Sequence, residues 1–318
     1  MTLKAKALRP GDTIGIIAPA SAPRSEERIA KSVNYFERLG YRVELGKHLT
    51  GNPQGYLSAP DKDRLIDLHA MFRSKHVRAI FYHRGGFGSI RLLDRLDYNL
   101  IRKNPKIIVG YSDATALFSA LYKKAGLSSC FFGPMPGVDL WDDIDRFTEE
   151  QLWRVITGTK PIEELPMDDG EGMLLNNFRS RTSIAAKAIG GNLTVLSSLM
   201  STPFQPNFRN AAVLFEEIDE KPRKVDAYFA QLRLAGAFDR ARAILLGQFT
   251  NCDRDPDAPT RTLAEIFADY FSDLDVPVVG NLPFGHEKRM WTIPFGCKLE
   301  LNTDGERMRI SIPTSVLL

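Results

Sequence analysis

Along the first 130 positions, apolar residues come in short continuous blocks separated by longer stretches in which they recur every three to four residues. "TIGIIAPAS" predicts a strand. "SEERIAKSVNYFERLG" predicts a helix, with Ser25 as N-cap, Glu26 and Glu27 in the first turn and Gly40 at the stop. "YRVELG" predicts a strand and "DKDRLIDLHAMFRS" a helix with Leu65, Leu68 and Phe72 on one side. "VRAIFYHRGG" is a strand, "SIRLLDRLD" a helix, "KIIVGYS" a strand and "DATALFSALYKKAG" a helix. This alternation predicts an α/β domain with a parallel sheet covered by helices. Ligands in such sheets sit beyond the carboxyl ends of the strands. Three polar clusters fall there: "APAS", "HRGGFG" and "GYSDA".

From Trp141 to about Arg181 the pattern weakens, and "TGTKPIEELPMDDGEGM" reads as a linker with room for one hairpin. A second alternating series follows. "SIAAKAIGG", "AAVLFEEI", "RARAILLGQF" and "VPVVGNLPFGH" predict strands. "NLTVLSSLMS", "RKVDAYFAQLRLAG" and "TLAEIFADYFSDL" predict helices. "CKLELNTDGERMRISI" predicts a closing hairpin that turns at Thr303-Asp304-Gly305. The expected division is an N-terminal domain over 1–150, a linker over 151–181 and a C-terminal domain over 182–318.

Composition narrows the possibilities. The 318 residues suit two domains, and 43% hydrophobic with 25% charged residues is the balance of a globular protein. A net charge of +3, with both signs interspersed, argues against an extended nucleic-acid surface. Cys130, Cys252 and Cys297 are far apart and form no CxxC pair, so neither a disulfide framework nor a zinc site is expected. No window approaches 18 uninterrupted apolar residues, and the N-terminal apolar run is interrupted by Pro10, Gly11 and Asp12. Neither a membrane span nor a signal peptide is expected, and a reducing, cytoplasmic setting is the default.

The chemistry gathers at strand ends. Ser112 sits where the strand "KIIVGYS" hands over to a helix. One reading makes Ser112 or Asp113 an ordinary N-cap. The other makes Ser112 a nucleophile on a tight strand-to-helix turn, although the G-x-S-x-G elbow is matched only in part because Ala114 holds its fifth position. In "RGGFG" (Arg84 to Gly88), glycines at positive φ fit either a tight turn or main-chain N–H groups aimed at an oxyanion or a phosphate. Glu216 and Glu217 end an apolar strand and point to opposite faces, so one of them can serve a given site and the other is expected to be solvated or salt-bridged. Among five histidines, His286 ends "NLPFGH" in a polar turn. His83 precedes "RGGFG", His48 lies in a loop, and His69 and His76 are expected on a solvated, charged stretch.

"RGGFGSIRLLD", "GYSDATAL", "GPM", "GGNLTVLSSLMSTPFQP", "LFEEIDEKP" and "FGHEKRMWTIPFG" occur in this order, and together they resemble the LD-carboxypeptidase (murein tetrapeptide carboxypeptidase) family of serine peptidases. The resemblance runs from about Ile14 to Leu301. It implies a glutamine-amidotransferase-like N-terminal α/β domain and a C-terminal domain of the swivelling β/β/α type, with the active site between them. It implies a Ser-His-Glu triad of Ser112, His286 and Glu216, where Ile218, Glu220 and Pro222 set the register that selects Glu216 over Glu217. It further implies an oxyanion hole from the N–H groups of Gly86 and Asp113, no metal and no cofactor. The implied substrate is a cytoplasmic muropeptide ending in D-Ala, cut at its L,D-peptide bond for cell-wall peptide recycling. The implied assembly is a homodimer, with no nucleic-acid or membrane partner. The chain departs from many members at Asp226-Ala227 and at Tyr111. The microcin-immunity branch, acting on aminoacyl or peptidyl nucleotide conjugates, is the neighbouring alternative. That branch calls for an aromatic stacking surface, for which Trp141, Trp153 and Trp291 are available. An alternative of another class is a catalytically silent ligand-binding protein.

Overall fold

The computed structural model describes residues 2–50, 53–176, 178, 182–256, 258–303 and 307–318. The chain forms two compact units. One comprises Met1–Thr159, Lys288–Phe295 and Val316–Leu318, and the other Lys160–Glu287 and Gly296–Ser315. The sequence reading assigned all of 182–318 to one C-terminal domain. In the structure, two short segments of that range fold with the first unit.

The first unit is built on β1 (Thr13–Ile17), β2 (Arg42–Leu45), β3 (Val77–Tyr82), β4 (Ile107–Gly110) and β5 (Cys130–Phe132), which pair in parallel in the order β5-β4-β3-β1-β2. The returning strand β11 (Ile293–Pro294; strands are numbered in chain order) adds to β5 in antiparallel sense. Ile107, Ile108 and Val109 are wholly buried. This is why β4 reads as a continuous apolar run: a central parallel strand is covered on both faces and cannot alternate with polar residues. Helix α1 (Glu26–Arg38) begins at Ser25, whose Oγ accepts the Arg28 N–H at 3.2 Å. Helix α2 (Asp61–Arg73) follows β2. The "SIRLLDRLD" stretch, expected to be an α-helix, is a 3-10 helix over Ser89–Arg95, followed by the short α3 (Tyr98–Lys103). Helix α4 (Ala114–Ala120) has every residue buried, so only its pattern of small and apolar side chains lets it sit in the interior. Helix α5 (Arg146–Ile156) lies where the sequence pattern was weak. It is capped by Asp145 and buries Leu152, Val155 and Ile156. Strand β5 was not anticipated, because three residues are too few to show a period.

The second unit has a seven-stranded sheet. Its parallel centre runs β7 (Thr182–Asn192), β8 (Ala211–Ile218), β9 (Ala243–Thr250) and β10 (Val278–Gly280). At its edges lie β6 (Met173–Leu174) on β10 and the hairpin β12 (Lys298–Thr303) and β13 (Met308–Ser311) on β7, all antiparallel. Asp304 and Gly305 of the predicted hairpin turn lie outside the described residues. Helix α6 (Leu193–Leu199) leaves β7 directly, α7 (Pro222–Leu234) follows β8, and α8 (Leu263–Phe271) opens with a capping box between Thr262 and Glu265. Gly190 in β7 has φ +148°, and a side chain there would run into the main chain of Leu214. This close approach of β7 to β8 sets the register that pairs Asn192 with Glu216. No helix among the described residues is long and apolar enough to cross a membrane.

The core of the second unit centres on Phe229 of α7. It is fully buried, with ring centroids of Phe271 at 5.2 Å, Phe215 at 5.4 Å and Phe267 at 6.0 Å. Phe229→Ala is expected to lower the unfolding free energy by about 3 to 5 kcal/mol. Urea denaturation checks this, and a loss below about 1 kcal/mol would mean that the aromatic cluster closes over the cavity.

Candidate active site

Ser112 is the second residue after β4 and has φ +60°, a left-handed conformation that a side chain other than glycine's adopts at a cost. It is partly exposed. Ser112 and Asp113 were also candidates for a plain helix cap. Asp113 occupies the cap position of α4, yet its side chain makes no capping bond. The helix start is closed by main-chain bonds instead: Ala114 N–H to Tyr111 O at 3.2 Å and Thr115 N–H to Ser112 O at 3.0 Å. The strained turn lifts the serine off the strand end and leaves its hydroxyl out of the capping role.

The Asp113 carboxylate reaches across to the glycine loop. It accepts the N–H of Gly88 at 2.9 Å and that of Ser89 at 3.1 Å. Arg64, only 2% exposed, grips the same peptide from the other side, donating to Gly88 O at 3.0 Å, to Pro19 O and to Ala59 O at 3.1 Å. Gly85 is held by Ser21 N–H at its carbonyl, and Phe87 N–H donates to Ser21 Oγ at 3.4 Å. Among the described residues, neither the Gly86 N–H nor the Asp113 N–H donates to a protein acceptor. Gly85 and Gly86 are glycines for steric reasons. A Cβ on Gly85 would lie 3.3 Å from Ser112 Oγ. At Gly86, with φ +109°, a Cβ would lie 2.8 Å from Ser21 Cβ. The sequence reading gave Arg64 no role beyond its place in the helix "DKDRLIDLHAMFRS". The only hint in the sequence was its place one turn before Leu68 on the same face of α2, and its anchoring role needs the tertiary structure.

Burial pushes the Asp113 carboxyl up to about 6, against the pull of its hydrogen bonds and of Arg64. His83, two residues before Gly85, is completely buried. Neither ring nitrogen has a hydrogen-bond partner among the described residues, and the ring lies against Gly137. Burial, with Arg84 and Arg28 adding to it, pushes His83 down to about 4.

In the second unit, Glu216 ends β8 with no exposed surface, and its Oε2 lies 2.7 Å from Nδ1 of His286. A carboxylate only accepts, so Nδ1 carries the hydrogen and, in the neutral ring, Nε2 carries the lone pair. The loop that carries His286 is tied to β9. Gln248 N–H donates to Phe284 O at 2.8 Å, and Gln248 Oε1 accepts the Glu287 N–H at 3.0 Å. Gly285, at φ +144°, lets this loop lie against the Gln248 side chain.

Glu217 corrects the sequence reading. It was expected to be a solvated or salt-bridged acid, and it is 2% exposed. Its carboxylate accepts from Thr194 N–H at 2.8 Å, Thr194 Oγ1 at 2.7 Å and Asn192 Nδ2 at 2.9 Å. It therefore fixes the start of α6, where a negative charge meets unpaired helix N–H groups. Burial first, and the neighbouring Glu216 second, raise its pKa. His48 also differs from expectation: it is no plain loop residue, since its Nδ1 pairs with Asp67 at 2.8 Å. His69 accepts the Asp97 N–H at 3.0 Å, and His76 is exposed. Trp291 is buried, and Trp153 stacks on Tyr41 at 5.1 Å. The Arg28 guanidinium lies 4.1 Å from the Trp141 ring. Tyr111 is buried with its hydroxyl 3.3 Å from Asp139, and Asp226 of α7 accepts the Tyr270 hydroxyl. No group of three or more metal-ligating side chains occurs among the described residues.

A strained strand-end serine, a glycine loop with free N–H groups and a buried carboxylate-histidine pair are the parts of a serine hydrolase. The chain belongs to the LD-carboxypeptidase family, and it is a serine carboxypeptidase: residues 14–133 match the family's N-terminal domain and residues 185–301 its C-terminal domain. It is 35% identical over 312 residues to the probable murein peptide carboxypeptidase of Bacillus subtilis, covering 95% of this chain and 92% of that one. It is 30% identical to the microcin C7 self-immunity protein MccF of Escherichia coli, covering 97% and 96%. A solved structure of an MccF mutant in complex with adenosine monophosphate matches with a TM-score of 0.88 at 28% identity, over 99% of this chain and 100% of that chain. The crystal structure of muramoyltetrapeptide carboxypeptidase from Oxalobacter formigenes matches with a TM-score of 0.81 at 26% identity, over 94% and 98%.

Two outcomes test this electrostatic picture. Between pH 6.5 and about 4 the unfolded chain protonates His83 and the folded one does not, so stability is lost as pH falls, by up to about 3 kcal/mol from this group. Asp113 acts in the opposite sense over the same range, but it is common to both proteins in a comparison. His83→Phe should therefore gain about 3 kcal/mol relative to the native chain between pH 7 and pH 4, read from urea midpoints at each pH. A pH-independent difference would mean that the imidazole titrates normally. Glu217→Gln should cost about 1 to 3 kcal/mol of stability, because the amide replaces an acceptor that anchors α6. Its effect on turnover should be far smaller than that of Glu216→Gln, which keeps the fold and lowers kcat by about 10²- to 10⁴-fold. Equal turnover in the two variants would remove the distinction.

Proposed function

We propose that this carboxypeptidase hydrolyses the L,D-peptide bond to a terminal D-Ala in muropeptides, in the cytoplasm, as a step of cell-wall peptide recycling. In this reading Ser112 is the nucleophile, His286 the general base and Glu216 the carboxylate that orients it. The N–H groups of Gly86 and Asp113 bind the oxyanion. The observation that carries the reading is the 2.7 Å bond between His286 Nδ1 and the wholly buried Glu216. It holds the ring in the tautomer whose Nε2 accepts a proton, and it stabilises the imidazolium once formed. Ser112 adds its carbonyl to the helix start but withholds its hydroxyl from capping, which leaves the oxygen available for attack. Collapse of the tetrahedral adduct releases D-Ala with the proton from His286, and water then cleaves the acyl-enzyme by the same route. Cys130 and Cys252 are buried thiols outside any disulfide, in keeping with a reducing compartment.

A second reading is supported by the MccF relatives and by an exposed aromatic pair: Phe87 of the glycine loop stands edge-to-face with Tyr56 at 5.7 Å. Such a pair offers the apolar face that a nucleobase needs, which the tryptophans, already engaged within the first unit, supply poorly. Under this reading the chain cleaves acyl-sulfamoyl or phosphoramidate nucleotide conjugates with the same residues.

Incubation with L-Ala-D-Glu-meso-diaminopimelate-D-Ala should release free D-Ala. Ser112→Ala should lower that rate by about a thousandfold or more, with a stability change within about 1 to 2 kcal/mol because no cap is lost. Retention of turnover by the variant would remove Ser112 from the chemistry. Turnover of an aminoacyl-sulfamoyl adenosine with none of the tetrapeptide would favour the second reading.

A further inference from the structure

The net charge of the chain is small, yet six of its cations meet in one place that the proposed chemistry does not use. Lys4, Lys6, Lys75, Arg78, Lys103 and Lys106 line a pocket of about 260 Å³ in the first unit. Among the described residues no Asp or Glu side chain lines it, and the one anion at its edge is the terminal carboxylate of Leu318, against six cations. The pocket lies at the N-terminal edge of the parallel sheet, around the starts of β3 and β4. Lys106 precedes β4 and Ser112 follows it, so the strand separates the two residues by more than its own length of about 10 Å.

The floor is Lys106. It is 7% exposed, and its ammonium donates to Ser74 O at 2.7 Å and to Val77 O at 2.5 Å. Two protein carbonyls hold the buried charge. The charges that bear on it are Arg78 and Lys75, which oppose it, and Glu44, which favours it. Burial first, then the two cations, push Lys106 down to about 8. Arg78 has Asp12 at 3.9 Å, a long and partly exposed pair, and Lys75 donates to Asn104 at 2.9 Å. Like charges gathered around a concavity repel one another and concentrate positive potential inside it. A compact anion of high charge relieves that repulsion, and Lys and Arg donors converging from several directions match the oxygens of a phosphate group. The pocket is too small for a folded partner and too concave for an extended nucleic-acid duplex.

We propose that this pocket binds a diphosphate group, as free pyrophosphate or as the diphosphate of a nucleotide, at a site separate from Ser112. The test is calorimetric titration of the full chain at 150 mM salt with inorganic pyrophosphate and, in a second arm, with ADP. Saturable binding of one pyrophosphate per chain is expected. Lys75→Ala/Arg78→Ala, both exposed positions, should weaken it at least about tenfold. Lys62→Ala/Lys160→Ala removes the same charge outside the pocket and should change it less than about twofold. ADP binding of equal strength identifies a nucleotide as the source, and failure of ADP alone identifies free diphosphate. Absence of saturable binding, or equal weakening in both variants, overturns the proposal. The cations would then serve only the carbonyl-rich ends of α2 and α3.

Discussion

A dehydrated carboxylate, Asp113, sets the geometry on which the first half of the candidate site depends. Burying an acid away from water is unfavourable unless donors replace the lost hydration. Here those donors are the N–H groups of Gly88 and Ser89. The loop after β3 is thereby locked to the turn after β4, and Arg64 clamps the carbonyl side of the same Gly88 peptide. With both faces of one peptide fixed, the preceding Gly85-Gly86 segment has little freedom, and glycine is needed at both positions because Ser112 and Ser21 crowd in. The left-handed turn at Ser112 persists because the buried β4 and the fully buried α4 on either side hold it there.

The second unit solves a related problem. Two adjacent acids at the end of β8 are both buried, and strand alternation sends them to opposite sides. Glu217 is satisfied by the start of α6, with donors from Asn192 and Thr194. Glu216 faces His286, and its remaining oxygen has no hydrogen-bond partner among the described residues. One acid is spent on architecture and leaves the other committed to the imidazole. The close approach of β7 and β8 at Gly190 makes both possible, since it brings Asn192 level with Glu216.

The relatives divide between murein peptide carboxypeptidases and microcin self-immunity proteins, and the chain carries features relevant to each. The serine turn and the carboxylate-histidine pair belong to acyl-transfer chemistry in general and do not discriminate between amide substrates. Discrimination has to come from what surrounds the leaving group. Phe87 and Tyr56 are exposed beside the glycine loop, whereas Trp153 and Trp291 are engaged within the first unit.

The α/β alternation was legible because strands covered on both faces must be continuous apolar runs and surface helices must show a 3.6-residue period; β1, α1, β3 and β4 follow directly from that rule. The candidate site residues were proposed as polar residues placed where such strands end, and Ser112, Glu216 and His286 were picked out that way and by resemblance. Elements without a period escaped: the three-residue β5, the 3-10 form of Ser89–Arg95, and the return of Lys288–Phe295 to the first unit. The partners of buried polar groups escaped as well. Arg64 and Glu217 look in sequence like ordinary solvated charges, and Asp113 looks like a helix cap. A sequence fixes which groups are charged and which runs must be buried, because those follow from side-chain chemistry and local periodicity. Which donor meets which buried carboxylate depends on segments distant along the chain arriving at the same point, and only the tertiary structure decided that.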